Sequence, residues 1–111
     1  MIKRTHTCGQ LSIKDLNKTI SLNGWISKTR DLGSLIFIDL KDRYGTTQVV
    51  FNQDTNKDVF NKMKKLGLQD VIGISGVVVA RPDNAVNKDL PTGKIDIEAN
   101  VLEVYNEADP M

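Results

Sequence analysis

Thr29-Arg30-Asp31-Leu32-Gly33-Ser34-Leu35-Ile36-Phe37-Ile38-Asp39-Leu40 is the stretch on which the fold turns. Extended over residues 34 to 40, it places Ile36, Ile38 and Leu40 on one face and Leu35, Phe37 and Asp39 on the other. A large aromatic ring is thereby directed away from the side that reads as core. After the turn-like Asp42-Arg43-Tyr44-Gly45 comes Thr46-Thr47-Gln48-Val49-Val50-Phe51, with Val49 and Phe51 on one face and Thr46, Gln48 and Val50 on the other. A hairpin closed by that turn brings Phe37 beside Gln48 and Val50 on its outer face. An outward ring next to an amide that both donates and accepts can stack an unpaired base and read its edge. Single outward aromatics also simply pack against a neighbouring loop, so alternation alone leaves both readings open.

Working outward, the N-terminal side offers a short capped turn over Ser12-Ile13-Lys14-Asp15-Leu16-Asn17. A strand follows over residues 19 to 28, with Gly24 permitting a bulge or sharp coil. On the C-terminal side, Val59, Phe60, Met63 and Leu66 follow helical spacing between Asn56 and Leu66, and Gly67 is placed to stop the helix in the left-handed region. Residues 70 to 81 read as a long β-branched strand. Residues 94 to 99 alternate with Ile95, Ile97 and Ala99 inward. The expected order is β-β-β-α-β-β, an all-β chain with one helix between strands three and four. That order describes the five-stranded Greek-key OB-fold, whose second and third strands and adjoining loops bind oligonucleotides. Residues 81 to 93, rich in Pro, Gly, Asn and Asp, form the connection between strands four and five. They serve either as a solvated linker or as a loop where Arg81, Asn84 and Asn87 approach a nucleotide.

At 111 residues, with 40% hydrophobic and 26% charged residues, the chain has the make-up of one ordinary soluble domain. Its apolar runs fall short of the roughly 18 residues of a membrane span, and no apolar segment follows the basic residues at the start as in a signal peptide. A cytoplasmic home is expected. The single cysteine, Cys8, has no partner for a disulfide or a metal site. Net charge is only +1, yet residues 1 to 30 carry a balance of +5 through Lys3, Arg4, Lys14, Lys18, Lys28 and Arg30 against Asp15. A polyanion would meet this third first, with Lys28 placed for phosphate; the bland reading of most of these lysines is solvated surface. No nucleophile pair, buried carboxylate pair, phosphate-binding glycine loop or zinc-ligand set is present, so no catalytic residue and no cofactor is assigned to the chain itself.

Cys8-Gly9-Gln10-Leu11, Gly24-Trp25, residues 30 to 40, Asp42-Arg43-Tyr44-Gly45, Gln48-Val49-Val50-Phe51 and residues 90 to 97 together resemble the N-terminal anticodon-binding domain of bacterial aspartyl-tRNA synthetases, which are class II enzymes. The resemblance covers essentially the whole chain. It implies a barrel over residues 1 to 105 and, over 106 to 111, the start of a hinge to a catalytic domain that this chain lacks. It further implies a homodimeric parent that charges aspartate tRNA through aspartyl-adenylate, with ATP and magnesium bound in that catalytic domain. The middle base of the GUC anticodon would stack on Phe37, with Gln48 and Arg30 supplying polar contacts. Where the family usually has a glutamate reading the first anticodon base stands Asp96, one methylene shorter, whose reach a water could extend. An asparagine of some relatives aligns with Ala85, flanked here by Asn84 and Asn87. Leu32 resembles enzymes strict for aspartate tRNA; relatives that also charge asparagine tRNA often have histidine there. Asparaginyl and lysyl synthetases share these features more loosely, and a generic single-strand-binding or protein-interaction barrel is the competing class.

Overall fold

The alternation of Thr19–Asp31 (β1) buries Ile20, Leu22 and Ile26 on one side, and Leu35–Asp42 (β2) buries Ile36, Ile38 and Leu40 in the same way. Gly45–Asn52 (β3) adds Val49 and Phe51, Val71–Ala80 (β4) adds Ile72, Ile74 and Val78, and Ile95–Asn106 (β5) adds Ile95, Ile97, Ala99 and Leu102. One-sided strands must wrap their apolar faces around a shared interior. Here they close into a barrel in the order β1-β2-β3-β5-β4. All neighbours are antiparallel except β3 and β5, which run parallel through Val49 opposite Ile97 and Val50 opposite Glu98. The expected OB-fold is the one observed. The computed structural model describes residues 3–88 and 92–106.

The helix Lys57–Lys64 (α1) lies between β3 and β4 and plugs the barrel with Phe60 and Met63. Its start is fixed by the Asn56 side chain, which accepts from the Val59 N–H at 3.2 Å. Its end differs from expectation: the left-handed residue is Gln69, with φ 74°, and not Gly67. The last turn tightens through Lys65 N–H to Lys62 O and Leu66 N–H to Met63 O, and the Asp70 carboxylate takes up the Gly67 N–H at 2.8 Å. No glycine conformation is then needed.

Gly24 also plays another part than expected. A Cβ there would meet the Lys41 carbonyl oxygen at 2.4 Å, so the glycine permits β1 to press onto β2. The bulge lies beyond it, where the pairing passes from Ile26 opposite Leu40 to Lys28 opposite Asp39, and the Ser27 hydroxyl donates to the Asp39 carbonyl at 3.1 Å. Its consequence is a change of parity. Ile26 faces inward, and without the bulge Lys28 and Arg30 would do the same; with it they emerge on the outer face.

The Cys8-Gly9-Gln10-Leu11 run is structural. The Cys8 N–H donates to Asp42 Oδ2 at 2.9 Å, the Thr47 hydroxyl donates back to the Cys8 carbonyl, and Asp42 Oδ1 accepts from the N–H groups of Tyr44 and Gly45. One carboxylate thus ties the N-terminal segment to the β2–β3 turn. Burial, with Asp42 beside it, pushes the Cys8 thiol far above its ordinary range, which leaves it unreactive. Among the described residues no helix is long and apolar enough to cross a membrane. The hinge expected over 106–111 lies outside the described residues apart from Asn106, which ends β5, as do Leu90 and Pro91 of the β4–β5 loop.

Candidate nucleic-acid interface

Two rungs of outward side chains cross β1, β2 and β3. In the first, Arg30 stands opposite Phe37 and Phe37 opposite Val50, with Glu98 of β5 next in line. In the second, Lys28 stands opposite Asp39 and Asp39 opposite Gln48. Residues directly opposed in a ladder share a face, so the ring, the amide and both cations converge. They line an open depression of about 280 Å³ together with Thr29 and Asp39. The Arg30 guanidinium lies 5.5 Å from the centre of the Phe37 ring and covers part of it, while the rest stays accessible. A ring that shares its outer face with a cation suits a stacked base followed by its phosphate.

The other predicted residues are placed differently. Asp96 alternates with the inward Ile95 and Ile97 and so points outward, yet only 9% of it is exposed. Arg81, also 9% exposed, covers it: Arg81 Nε donates to Asp96 Oδ1 at 2.7 Å and to the Ile95 carbonyl at 3.1 Å, and Nη1 donates to the Ala85 carbonyl at 3.3 Å. Gln48, one position before the Val49–Ile97 pair, lies beside Asp96 across the parallel β3–β5 seam. Burial raises the Asp96 pKa above its ordinary value, Arg81 and Gln48 pull it back, and Asp39 adds a push upward. Outward parity alone would leave Asp96 on the surface; it is covered because Arg81, at the base of the β4–β5 loop, folds over it.

Asn84 is exposed in the short turn Asp83–Ala85, and Asn87 is exposed with its N–H donating to the Gly93 carbonyl at 2.9 Å. Neither lines the Phe37 depression. Asn87 instead borders a neighbouring hollow with Ser12, Ile13, Lys14, Val86, Lys88 and Lys94. The Thr92 hydroxyl, donating to the Thr46 carbonyl, fastens the returning loop to the start of β3. Asp39 is the residue the candidate set lacked; its signal was parity with Phe37 and a position opposite Gln48.

Residues 20–105 match the model of an OB-fold nucleic acid binding domain. The chain is 48% identical over 105 residues to the aspartate–tRNA ligase of Bacteroides thetaiotaomicron, covering 95% of this chain and 18% of that protein. It is 46% identical over 109 residues to the aspartate–tRNA(Asp/Asn) ligase of Anaeromyxobacter dehalogenans, covering 98% of this chain and 18% of the relative. It thus spans about a fifth of the length of the relatives it matches. Among solved structures, asparaginyl-tRNA synthetase from Pyrococcus horikoshii complexed with asparaginyl-adenylate superposes with a TM-score of 0.80 at 25% identity, over 100% of this chain and 24% of that one. The barrel with its outward Phe37 and Gln48, and these likenesses, lead to one conclusion: the chain belongs to the family of OB-fold nucleic acid binding domains, and nearly its whole length is similar to about a fifth of the aspartate–tRNA ligases.

Proposed function

We propose that this barrel reads the GUC anticodon of aspartate tRNA, with the middle base stacked on Phe37 and its edge met by Gln48. The observation that carries the reading is the single depression that holds Phe37, Gln48, Arg30 and Lys28 together on the outer face. Splayed anticodon bases leave their faces free for an aromatic platform, worth about 1–3 kcal/mol per base. Arg30 and Lys28 approach the adjoining phosphates. A wrong base leaves buried donors and acceptors unpaired, which penalises it by more than the right base gains.

The longer protein, in this reading, is a cytoplasmic homodimer that attaches aspartate to its tRNA with ATP and magnesium. Among the described residues no group of three or more His, Cys, Asp or Glu is placed to hold a metal ion, and no step of the acylation is assigned to the barrel. Leu32, 54% exposed beside the site, favours an enzyme strict for aspartate tRNA; efficient aspartylation of asparagine tRNA by the longer protein would overturn that point.

Titration of the chain with hairpin RNAs of roughly 17 nucleotides tests the reading, since a single barrel covers a site within that size. Loops carrying GUC, GUU and UUU separate aspartate from asparagine and lysine anticodons. Preference for GUC supports the proposal. Preference for GUU or UUU moves the chain to the corresponding relatives, and equal binding of all three makes it a generic single-strand binder.

A further inference from the structure

The hollow that Asn87 borders has a volume of about 490 Å³, and three lysines, Lys14, Lys88 and Lys94, line it. Two separate stretches of backbone bring them together. Lys14 projects from the capped turn Ile13–Asp15, where the Ser12 hydroxyl oxygen accepts from the Lys14 N–H at 3.3 Å and Asp15 Oδ2 accepts from the Ser12 N–H at 3.0 Å. Lys88 and Lys94 belong to the β4–β5 connection, which is fastened by Arg81 Nη1 to the Ala85 carbonyl and by the Asn87 N–H to the Gly93 carbonyl. Two of the three cations thus come from the part of the chain that is acidic on balance, and only folding sets them beside the basic N-terminal third.

Their charges are uncompensated. All three lysines are exposed, and among the described residues none of them forms an ion pair and no carboxylate lines the hollow. Asp15, next to Lys14 in sequence, is engaged by the Ser12 N–H and by Lys18 Nζ at 3.3 Å. Like charges around one hollow repel, and an anion relieves that repulsion. Exposed cations hold a free small ion only weakly, because water and salt screen them. A strand already held nearby is different, since tethering presents its next phosphates at high effective concentration. Lys94 precedes Asp96 by two residues, and Asp96 lies beside Gln48 across the β3–β5 seam, so the backbones of the two sites are about 8 Å apart. Ile13, 52% exposed, and Val86, half-buried, add apolar surface on which a ribose can rest.

We propose that this hollow is a second RNA contact, in which Lys14, Lys88 and Lys94 hold backbone phosphates of the strand leaving the Phe37 face, whatever its bases. It rests on the reading of that face given above and carries the bound RNA beyond the three anticodon bases. Phosphate contacts of this kind fix position and add affinity without reading sequence.

The test compares the native chain with Lys14→Ala/Lys88→Ala/Lys94→Ala and with Lys57→Ala/Lys64→Ala/Lys65→Ala, which removes the same charge from exposed positions at α1. GUC and GCC hairpins are titrated between 50 and 200 mM salt. Losing three single-strand phosphate contacts is expected to lower the slope of log affinity against log salt by about 2, so the advantage of the native chain over the hollow variant shrinks about 20-fold across that range. The α1 variant keeps the native slope, and the GUC:GCC ratio is the same in all three chains. Should the triple variant not fold, Lys88→Ala alone is expected to lower the slope by about 0.7. Equal slopes for the native chain and the hollow variant overturn the proposal, as does an equal loss in both triple variants, which would be net charge alone. A GUC:GCC ratio altered only in the hollow variant overturns it too, because the lysines would then touch bases. Inorganic phosphate or oligoglutamate that binds the native chain more tightly than the hairpin does, and spares the hollow variant, would assign the hollow to a free anion or an acidic protein segment instead. A native chain that binds GUC and GCC alike defeats the reading of the Phe37 face, while the slope difference still reports the three lysines.

Discussion

Phe37→Ala separates binding from folding. The ring is partly buried on the outer face, opposite Val50 and under Arg30. Its removal forfeits one cross-strand pair, about 0.2–1 kcal/mol, and one cation–ring contact, about 0.5–1 kcal/mol. The melting temperature should fall by roughly 3–9 °C, at about 4 °C per kcal/mol for a domain of this size. Phe51, one strand over and fully buried, provides the contrast, since its truncation should cost about 3–5 kcal/mol. For RNA the order reverses. Loss of a stacking platform worth about 1–3 kcal/mol weakens GUC-hairpin binding by about 5- to 150-fold, whereas Phe51→Ala studied below its melting point binds nearly as the native chain does. Fluorescence anisotropy with labelled hairpins gives the affinities and thermal denaturation the stabilities. A folded Phe37→Ala variant that binds within twofold of the native chain refutes the stacking assignment.

Lys28→Ala should weaken binding at low salt and lower the slope of log affinity against log salt by about 0.7, one phosphate contact to a single strand, whereas Phe37→Ala leaves that slope unchanged; equal slopes for the two variants would contradict these roles. Gly9→Ala should destabilise the barrel by about 1–3 kcal/mol in denaturant titration, because the new Cβ would meet the Tyr44 carbonyl at 2.3 Å where the N-terminal segment crosses the β2–β3 turn. Asp15 is held below its ordinary pKa of 3.8, chiefly by the Ser12 N–H and also by Lys18. Its contribution to stability is therefore present above that value and lost as the pH falls through the lower, folded-state pKa. The difference in melting temperature between the native chain and Asp15→Asn should accordingly shrink below about pH 4; a constant difference would count against the cap.

Strict alternation made the barrel legible, and with it the pairing of Phe37 with Gln48 and Val50 around the β2–β3 turn. Alternation fails where the chain inserts a residue. At Ser27 the bulge carries Lys28 and Arg30 from the inward parity of Ile26 to the outer face. In β5 the pairing passes from Gly76 opposite Ala99 to Ser75 opposite Val101, and the inward positions change from odd to even, so that Leu102 is buried and Val101 exposed. A reading by period two ends that strand at Ala99, whereas it continues to Asn106. Each bulge breaks the period, and where the strand resumes beyond it is fixed by partners distant in sequence. The burial of Asp96 was hidden for the same reason. Its alternation points outward, and only the fold of the β4–β5 connection brings Arg81 over it. Gly67 by its residue type predicts a helix stop, but Asp70 and a tightened last turn end the helix without it.

The central claim is that the outer face of β1 to β3 takes an anticodon loop. The most direct measurement is a two-dimensional NMR titration of the ¹⁵N-labelled chain with a GUC hairpin. The account predicts that shifts concentrate at Lys28, Arg30, Phe37, Asp39 and Gln48, with the opposite wall around Val77, Val79 and Asn100 unmoved. Shifts centred on that wall, or none at concentrations that saturate related domains, would contradict it.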